Sequence, residues 1–311
     1  MKVVALAGGV GGAKLADGLA QAMPPGDLSV IVNTGDDFEH LGLHICPDLD
    51  TVCYTLAGVA NPITGWGRAG ETWAALETLS ALGGPSWFHL GDRDLGLHLE
   101  RTRRLRRGDA LSTITRDFCR QWAIASTVLP MSDDPVPTWV STLEGELPFQ
   151  EYFVHRQCLP RVIGFRFDGV EQARPAPGVL DTLQEAALIV ICPSNPWVSI
   201  DPILAVPGIR SALHSTAAPV IAVSPIIAGQ TIKGPAAKMY AELGIEPSAR
   251  SVANHYGGLL HGFVLDNQDI HLVPEMAGHL ELHSTDTLMK TPGDRLRLAG
   301  EVLELGSRIL G

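Results

Sequence analysis

The run Val3-Val4-Ala5-Leu6-Ala7 is followed at once by Gly8-Gly9-Val10-Gly11-Gly12-Ala13-Lys14. An apolar strand that turns through four glycines into a helix fixes the start of the fold. The backbone comes close to whatever sits there, and the amides that open the helix point at a negative group, usually a phosphate. Residues 15–22 read as that helix, with Leu15, Leu19 and Ala22 on one face. Pro24-Pro25-Gly26-Asp27 stops it, and a second apolar strand, Leu28–Val32, runs into Asn33-Thr34-Gly35. Strand, helix and strand joined by short links predict a parallel pair with a right-handed crossover.

The loop fits neither common nucleotide motif. A P-loop needs Gly-Lys-Ser/Thr, whereas Ala13 separates Gly12 from Lys14 and Leu15 follows. The dinucleotide pattern needs a third glycine where Lys14 stands and an acid at the end of the second strand, where Asn33-Thr34 stand. A nicotinamide dehydrogenase is therefore disfavoured. Serine hydrolysis is disfavoured too, because no Gly-x-Ser-x-Gly elbow occurs.

Bulk properties narrow the class further. The 311 residues suffice for one large or two modest domains, and 45% hydrophobic content supports a sizeable core. A formal net charge of -11 argues against sequence-independent nucleic-acid binding, which needs basic surface. Cys46, Cys53, Cys119, Cys158 and Cys192 are scattered and include no CxxC pair, so buried reduced thiols are expected, not a disulfide frame or a cysteine-built zinc site. No apolar run reaches the roughly 18 residues of a membrane span, and the chain opens on a strand instead of a charged leader. A cytoplasmic protein without membrane partners is the expectation.

Further buried strands are expected at residues 188–192 and 219–223, and helices at 76–82, 113–122, 236–243 and 294–310. Residues 138–174 differ: aromatic and β-branched residues alternate with turn signals, as in Trp139-Val140, Tyr152-Phe153-Val154 and Phe165-Arg166-Phe167. The predicted fold class is α/β. A Rossmann-like core with a mainly parallel sheet spans 1–137 and 175–311, and a small antiparallel β lobe is inserted at 138–174.

In open parallel sheets, ligands sit beyond the carboxyl ends of the strands. Gly8–Gly12, Asn33-Thr34-Gly35-Asp36-Asp37, Pro193-Ser194-Asn195-Pro196 and Ser224-Pro225-Ile226-Ile227-Ala228-Gly229 all fall at such ends. Acidic pairs recur near Gly or Pro: Asp36-Asp37, Asp48 and Asp50, Asp92 and Asp94, Asp133-Asp134. Oxygen donors suit Mg²⁺, although one of Asp48 and Asp50 can instead cap the helix that follows. Asp92-Arg93-Asp94 reads equally as an ion pair. The basic run Arg101, Arg103, Arg104, Arg106, Arg107 reads as a solvated helix face or as an anion contact. The histidines His40, His44, His89, His98 and His255 show no ligand spacing, though His44, a Pro47 turn away from Asp48, can line a site.

In this order the segments resemble the 2-phospho-L-lactate transferase family of coenzyme F-420 biosynthesis. The likeness rests on the glycine loop through Leu15, Val32-Asn33-Thr34-Gly35-Asp36-Asp37, Pro47-Asp48-Leu49-Asp50-Thr51-Val52 and Leu90-Gly91-Asp92-Arg93-Asp94. It continues through Leu129-Pro130-Met131-Ser132-Asp133-Asp134-Pro135-Val136, Pro193–Pro196 and Val223–Ile227. The resemblance implies transfer of a phospho-three-carbon-acid group (2-phospholactyl, enolpyruvyl phosphate or 3-phosphoglyceryl) from a guanosine diphosphate-linked donor. The acceptor is the terminal hydroxyl of the deazaflavin Fo, GMP leaves, and Mg²⁺ is required. By resemblance Asp50 and Arg93 contact the deazaflavin and carry the chemistry; on chemical grounds Asp50, with Asp48, can hold the metal. The nucleotide side would comprise Gly8, Gly9, Gly11, Gly12, Lys14, Asn33, Thr34, Ser194, Asn195, Ser224 and Pro225, with Asp92 beside the acceptor. One of Trp66, Trp73, Trp87 and Phe88 can stack on the flat ring. A homodimer is implied as well.

The rival reading is a non-catalytic regulator that senses a sugar nucleotide in the same cleft. It would lack a use for Pro47–Thr51 and Gly91–Asp94. On the transferase reading, Asp50→Ala is expected to abolish transfer and leave the fold intact.

Overall fold

A computed structural model describes residues 1–276, 278 and 280–311. In chain order the strands are β1 (Val3–Ala7), β2 (Leu28–Val32), β3 (Phe38–His40), β4 (Leu43–Ile45), β5 (Thr127–Pro130), β6 (Thr138–Thr142), β7 (Gly145–Pro148), β8 (Val162–Phe167), β9 (Leu188–Ile191), β10 (Val220–Val223), β11 (Ile226–Ile227), β12 (Gln230–Thr231), β13 (Gly262–Asp266) and β14 (Glu281–Thr285). The helices are α1 (Gly9–Ala22), α2 (Pro47–Leu56), α3 (Ala74–Ala81), α4 (Asp92–Leu105), α5 (Leu111–Gln121), α6 (Val179–Glu185), α7 (Asp201–Ala205), α8 (Ile209–Ser215), α9 (Ala236–Glu242), α10 (Ala249–Tyr256), α11 (Val273–Met276) and α12 (Pro292–Leu310).

Seven strands form one sheet in the order β14-β13-β10-β9-β1-β2-β5, and every adjacent pair is parallel. The chain leaves β1 outward through β2 to β5, then returns to β9 on the other side of β1 and continues outward. The order reverses between β1 and β9, and that is where an open α/β sheet leaves a crevice for a ligand.

Alternation along each strand builds two cores. Val4, Leu6, Ile31, Ile189, Ile191, Ala222 and Phe263 face α6, α7, α8 and α10. Val3, Ala5, Ala7, Val30, Val32, Val190, Ile221 and Val264 face α1, α2 and α12. Both faces are covered, which is why the strands read as unbroken apolar runs. Helices α1 and α12 meet at Gly18, where a Cβ would fall 2.1 Å from the Arg295 carbonyl oxygen.

The inserted lobe is a three-stranded antiparallel sheet, β7-β6-β8. Its apolar residues Val140, Phe149, Tyr152 and Val162 pack onto Val198 and Met239 of the main body. The α/β class with a parallel core and a small antiparallel lobe is thus the observed architecture.

Three details differ from the sequence expectation. Helix α1 begins at Gly9, so the glycines form its first turn instead of a loop ahead of it. Helix α2 begins at Pro47 and contains Asp48 and Asp50 in its first turn. The strands β5, β13 and β14 extend the sheet beyond those expected; β14 is a half-exposed edge and carries no strong apolar pattern. Among the described residues no helix is long and apolar enough to cross a membrane.

Candidate active site

A cavity of about 1000 Å³ opens at the reversal of strand order and is walled by the first turn of α1, the start of α2 and the turns after β9 and β10. The glycines make this convergence possible. A Cβ on Gly8 would meet Asp48 Oδ2 at 2.6 Å, on Gly11 the Pro193 carbonyl oxygen at 2.2 Å, and on Gly12 Ser194 Oγ at 2.7 Å. Gly9 sits at φ +63, a conformation that favours glycine. Ser194 ties the two turns together: its hydroxyl donates to the Gly8 carbonyl at 2.8 Å and accepts from the Gly8 amide at 3.2 Å. The first turn of α1 holds no acidic residue and no side-chain cap. Its opening N–H groups lack intrahelical partners, and the helix dipole adds positive potential there.

Behind that turn Asn33, fully buried, organises two carboxyls. Its Nδ2 lies 3.0 Å from Asp36 Oδ1 and 2.9 Å from Asp48 Oδ2, and also 3.1 Å from the Val198 carbonyl, while its Oδ1 accepts from the Gly35 amide at 2.8 Å. Burial, then the charge of Asp48, holds Asp36 well above the usual carboxylate range. Burial pushes Asp48 up to about 6, against hydrogen bonds from Asn33 and the Gly9 amide. Two acids raised together at a cavity wall, with oxygen as the only donor type, fit a hard divalent cation such as Mg²⁺.

Asp50 has a different partner. Arg101, 2% exposed, grips it with both guanidinium nitrogens: Nη1 lies 3.0 Å from Oδ2 and Nη2 contacts Oδ1. Burial opposes the charge of Arg101, but Asp50, Cys46 and Asp37 together outweigh it and hold the guanidinium ionised. His98 Nδ1 stands 3.3 Å from Arg101 Nη1, and burial pushes this imidazole down to about 4. Asp94 completes the acidic wall; burial raises it to about 6.

The Gly91–Asp94 segment turns out to be a reciprocal cap. Asp92 accepts from Thr72 Oγ1 at 2.5 Å and from the amides of Ala74 and Ala75 at 3.1 and 3.0 Å, closing the start of α3. Glu71 accepts from the amides of Arg93 and Asp94 at 2.8 and 3.1 Å, closing the start of α4. Gly91 is needed because a Cβ there would lie 2.3 Å from Glu71 Cδ. The Arg93 guanidinium reaches the Ala69 carbonyl at 3.5 Å.

Of the residues singled out from sequence, the cavity wall contains Gly8, Gly9, Gly11, Lys14, Asp48, Asp50, Ser194, Asn195, Ser224 and Pro225. Gly12 and Asn33 support that wall from behind, Thr34 lines a second cavity, and Asp92 and Arg93 lie outside the wall on the α3 side. Asn195 caps the turn after it, accepting from the Trp197 amide at 3.0 Å, and Ser224 closes a tight turn onto Ile226.

Sequence reasoning missed Lys233 and Lys290, which join Lys14 in the wall. Lys14 Nζ donates to the Met289 carbonyl at 2.7 Å, and Lys233 Nζ to the Thr64 carbonyl at 2.5 Å. Burial, then the nearby Arg295 and Lys233, lowers the pKa of Lys14. A lone lysine in a loop carries no periodic signal, so neither position was readable. Aromatic side chains also line the cavity: Trp66, Trp87, Phe88, Phe149 and Phe153, with Phe149 and Phe153 stacked at 5.3 Å. Trp73 packs instead on His89.

Comparisons with known proteins give the family of the chain. A family model described as 2-phospho-L-lactate transferase CofD matches residues 3–289. The phosphoenolpyruvate transferase of Streptomyces griseus is 45% identical over 316 residues, covering 99% of this chain and 99% of that protein. The phosphoenolpyruvate transferase of Mycolicibacterium smegmatis is 41% identical over 290 residues, covering 86% and 89%. Among solved structures, a member of the UPF0052 family from Bacillus halodurans superposes with a TM-score of 0.65 over 97% of this chain and 98% of that one, at 16% identity, which is a likeness of fold. The chain is an enzyme of the transferase class, and with a match over residues 3–289 it belongs to the 2-phospho-L-lactate transferase family, CofD.

Proposed function

We propose that this enzyme transfers a phosphorylated three-carbon acid, as its phosphate ester, from a guanosine diphosphate-linked donor to the terminal hydroxyl of the deazaflavin Fo. The observation that carries the reading is one continuous cavity lined by the first turn of α1, whose N-cap Gly8 has no side chain, by an acidic wall and by aromatic side chains. These three chemistries suit a diphosphate, a metal-assisted phosphoryl centre and a flat acceptor ring. The names of the relatives favour enolpyruvyl phosphate as the group carried.

In the proposed reaction the acceptor oxygen bonds to the phosphorus bearing the three-carbon acid. The bridging P–O bond breaks, GMP leaves with that electron pair, and the hydroxyl proton passes to a carboxylate of the wall and then to solvent. Phosphoryl transfer asks the protein chiefly for placement and charge neutralisation. The α1 amides and Lys14 hold the departing nucleotide phosphate; Lys233 and Lys290 offset the remaining anionic charge. Asp48 and Asp36 would hold Mg²⁺, and Asp50, oriented by Arg101, faces the same space. The metal, when bound, withdraws charge from the reacting phosphorus and makes the acceptor hydroxyl more acidic. The aromatic side chains exclude water and orient the ring. Arg93, expected to contact the deazaflavin, would reach it only by leaving Ala69.

The test is incubation with Fo, Mg²⁺ and each of three guanylylated donors, carrying phospholactate, phosphoenolpyruvate or 3-phosphoglycerate, with products read by mass. The enolpyruvyl phosphodiester and one equivalent of GMP are expected. Absence of product with all three donors would overturn the proposal.

A further inference from the structure

Beside the active-site cavity lies a second one of about 530 Å³. Its wall carries Asp36, Asp37, Glu39, Asp133, Asp134 and Asp168 and, among the described residues, no lysine or arginine. His44 also belongs to this wall, and with Asp37 and Cys46 it brings three ligand atoms within 4.8 Å of one another.

The hairpin β3–β4 explains why these three meet. Its antiparallel register pairs Phe38 with Ile45 and Glu39 with His44. Asp37 and Cys46 are the next residues outward and close the hairpin's base from opposite strands. His44 and Cys46, two apart, point to one side. His44 Nε2 stands 3.4 Å from Asp37 Oδ2, and the Asp37 side chain is only 10% exposed. Its Oδ1 is buried with no hydrogen-bond partner. Cys46 is fully buried.

We propose that Asp37, His44 and Cys46 form a binding site for a zinc-class divalent transition metal, with its fourth position open to the second cavity. Tetrahedral zinc with oxygen, nitrogen and sulfur ligands sets ligand separations of about 3.4–3.6 Å, and the His44–Asp37 distance already matches. The imidazole and thiolate donors select zinc over magnesium, which separates this site from the all-oxygen wall around Asp48. Metal binding displaces the thiol proton to solvent and gives Asp37 Oδ1 or Oδ2 a partner. A search for paired cysteines misses such a site, because it uses one cysteine. The metal would fasten the hairpin to the residue just before α2 and so hold the helix that carries Asp48 and Asp50. The proposal stands apart from the transfer reaction and does not rest on it.

The experiment uses the full-length protein, stripped with a chelator, dialysed and titrated with Co²⁺ as a spectroscopic substitute for zinc. One equivalent should produce a thiolate-to-cobalt charge-transfer band together with visible bands of a tetrahedral ion. Zn²⁺ should bleach both, and excess Mg²⁺ should not. Cys46→Ser should remove the charge-transfer band, and His44→Ala should weaken cobalt binding at least about tenfold. His44 is a third exposed in its side chain, so His44→Ala should keep the wild-type far-ultraviolet circular dichroism. No band at stoichiometric cobalt, displacement by Mg²⁺, or undiminished binding by His44→Ala would each overturn the site. Should Cys46→Ser unfold, the His44→Ala titration alone decides.

Discussion

Arg101 brings a full positive charge into the interior, and Asp50 answers it with two contacts. From sequence it belonged to a string of arginines on an apparently solvated helix. Three of that string sit outward, Arg103 paired with Glu100, Arg106 reaching the Gly42 carbonyl and Arg107 exposed, while Arg104 is half-buried between Asp109 and Asp117. Arg101 alone turns in, on the face shared by Asp94, Leu97 and His98, whose spacing of three and four residues was readable but polar. The pairing changes what a substitution at Asp50 does. Removing one partner of a buried pair leaves the other uncompensated, which costs about 3–5 kcal/mol. Asp50→Ala and Arg101→Met should each lower urea stability by about that amount, and the double variant should lose less than their sum. Additive losses would mean that the pair is not coupled. The expectation that Asp50→Ala spares the fold is therefore replaced by one of measurable destabilisation.

Asp94 supplies a second test at this scale, through pH. Its folded pKa is raised by burial from 3.8 to about 6. The native state then binds the proton more tightly than the unfolded one, so the group's stability contribution is present below the unfolded pKa and is lost as pH rises through about 6. Asp94→Asn removes that dependence. The variant should exceed wild type by about 2–3 kcal/mol near pH 8, and the gap should close towards pH 4. A gap independent of pH would show that the carboxyl titrates normally.

Among the elements, the sequence carried the frame of the site but not its fastenings. Strands β1, β2, β9 and β10 are short and apolar, buried throughout but for Ser29 of β2, so their ends, and the polar turns after them, were visible. The exchange of caps between Glu71 and Asp92 was not visible, because each carboxylate serves a helix about twenty residues away in sequence, and local propensity says nothing of that distance. Glycine was legible as a close-approach signal, yet what approaches is first of all the protein itself. Gly11 lies against the Pro193 backbone, which has no flexible end to move aside. Gly11→Ala should force α1 from the turn after β9 and cost about 1–3 kcal/mol, as overpacking does. Nucleotide affinity, read by calorimetric titration with GDP, should fall with it. An alanine variant with unchanged melting and unchanged GDP affinity would remove the close approach as the reason for this glycine.

For the whole molecule, the question is whether the inserted lobe is a separate unit. Its composition marks residues 138–174 as different in texture, and its three strands do form their own sheet. Its apolar side chains do not form their own core. Val140, Phe149, Tyr152 and Val162 are completed by Val198, from the turn after β9, and by Met239 of α9. The chain on either side of the lobe is thereby joined through it, and Phe149 and Phe153 reach the cavity from the same segment. Texture along a sequence reports local structure, but a shared core depends on contacts about fifty to a hundred residues apart, and no window of sequence contains them. The consequence is cooperative unfolding. Calorimetry should show a single transition whose calorimetric and van't Hoff enthalpies agree. Met239→Ala, at a site with no exposure, should cost about 2–5 kcal/mol and shift that one transition to lower temperature. Two resolved transitions in the variant, with the later one at the wild-type position, would mean instead that the lobe melts on its own and that the main body holds the nucleotide end of the cavity without it.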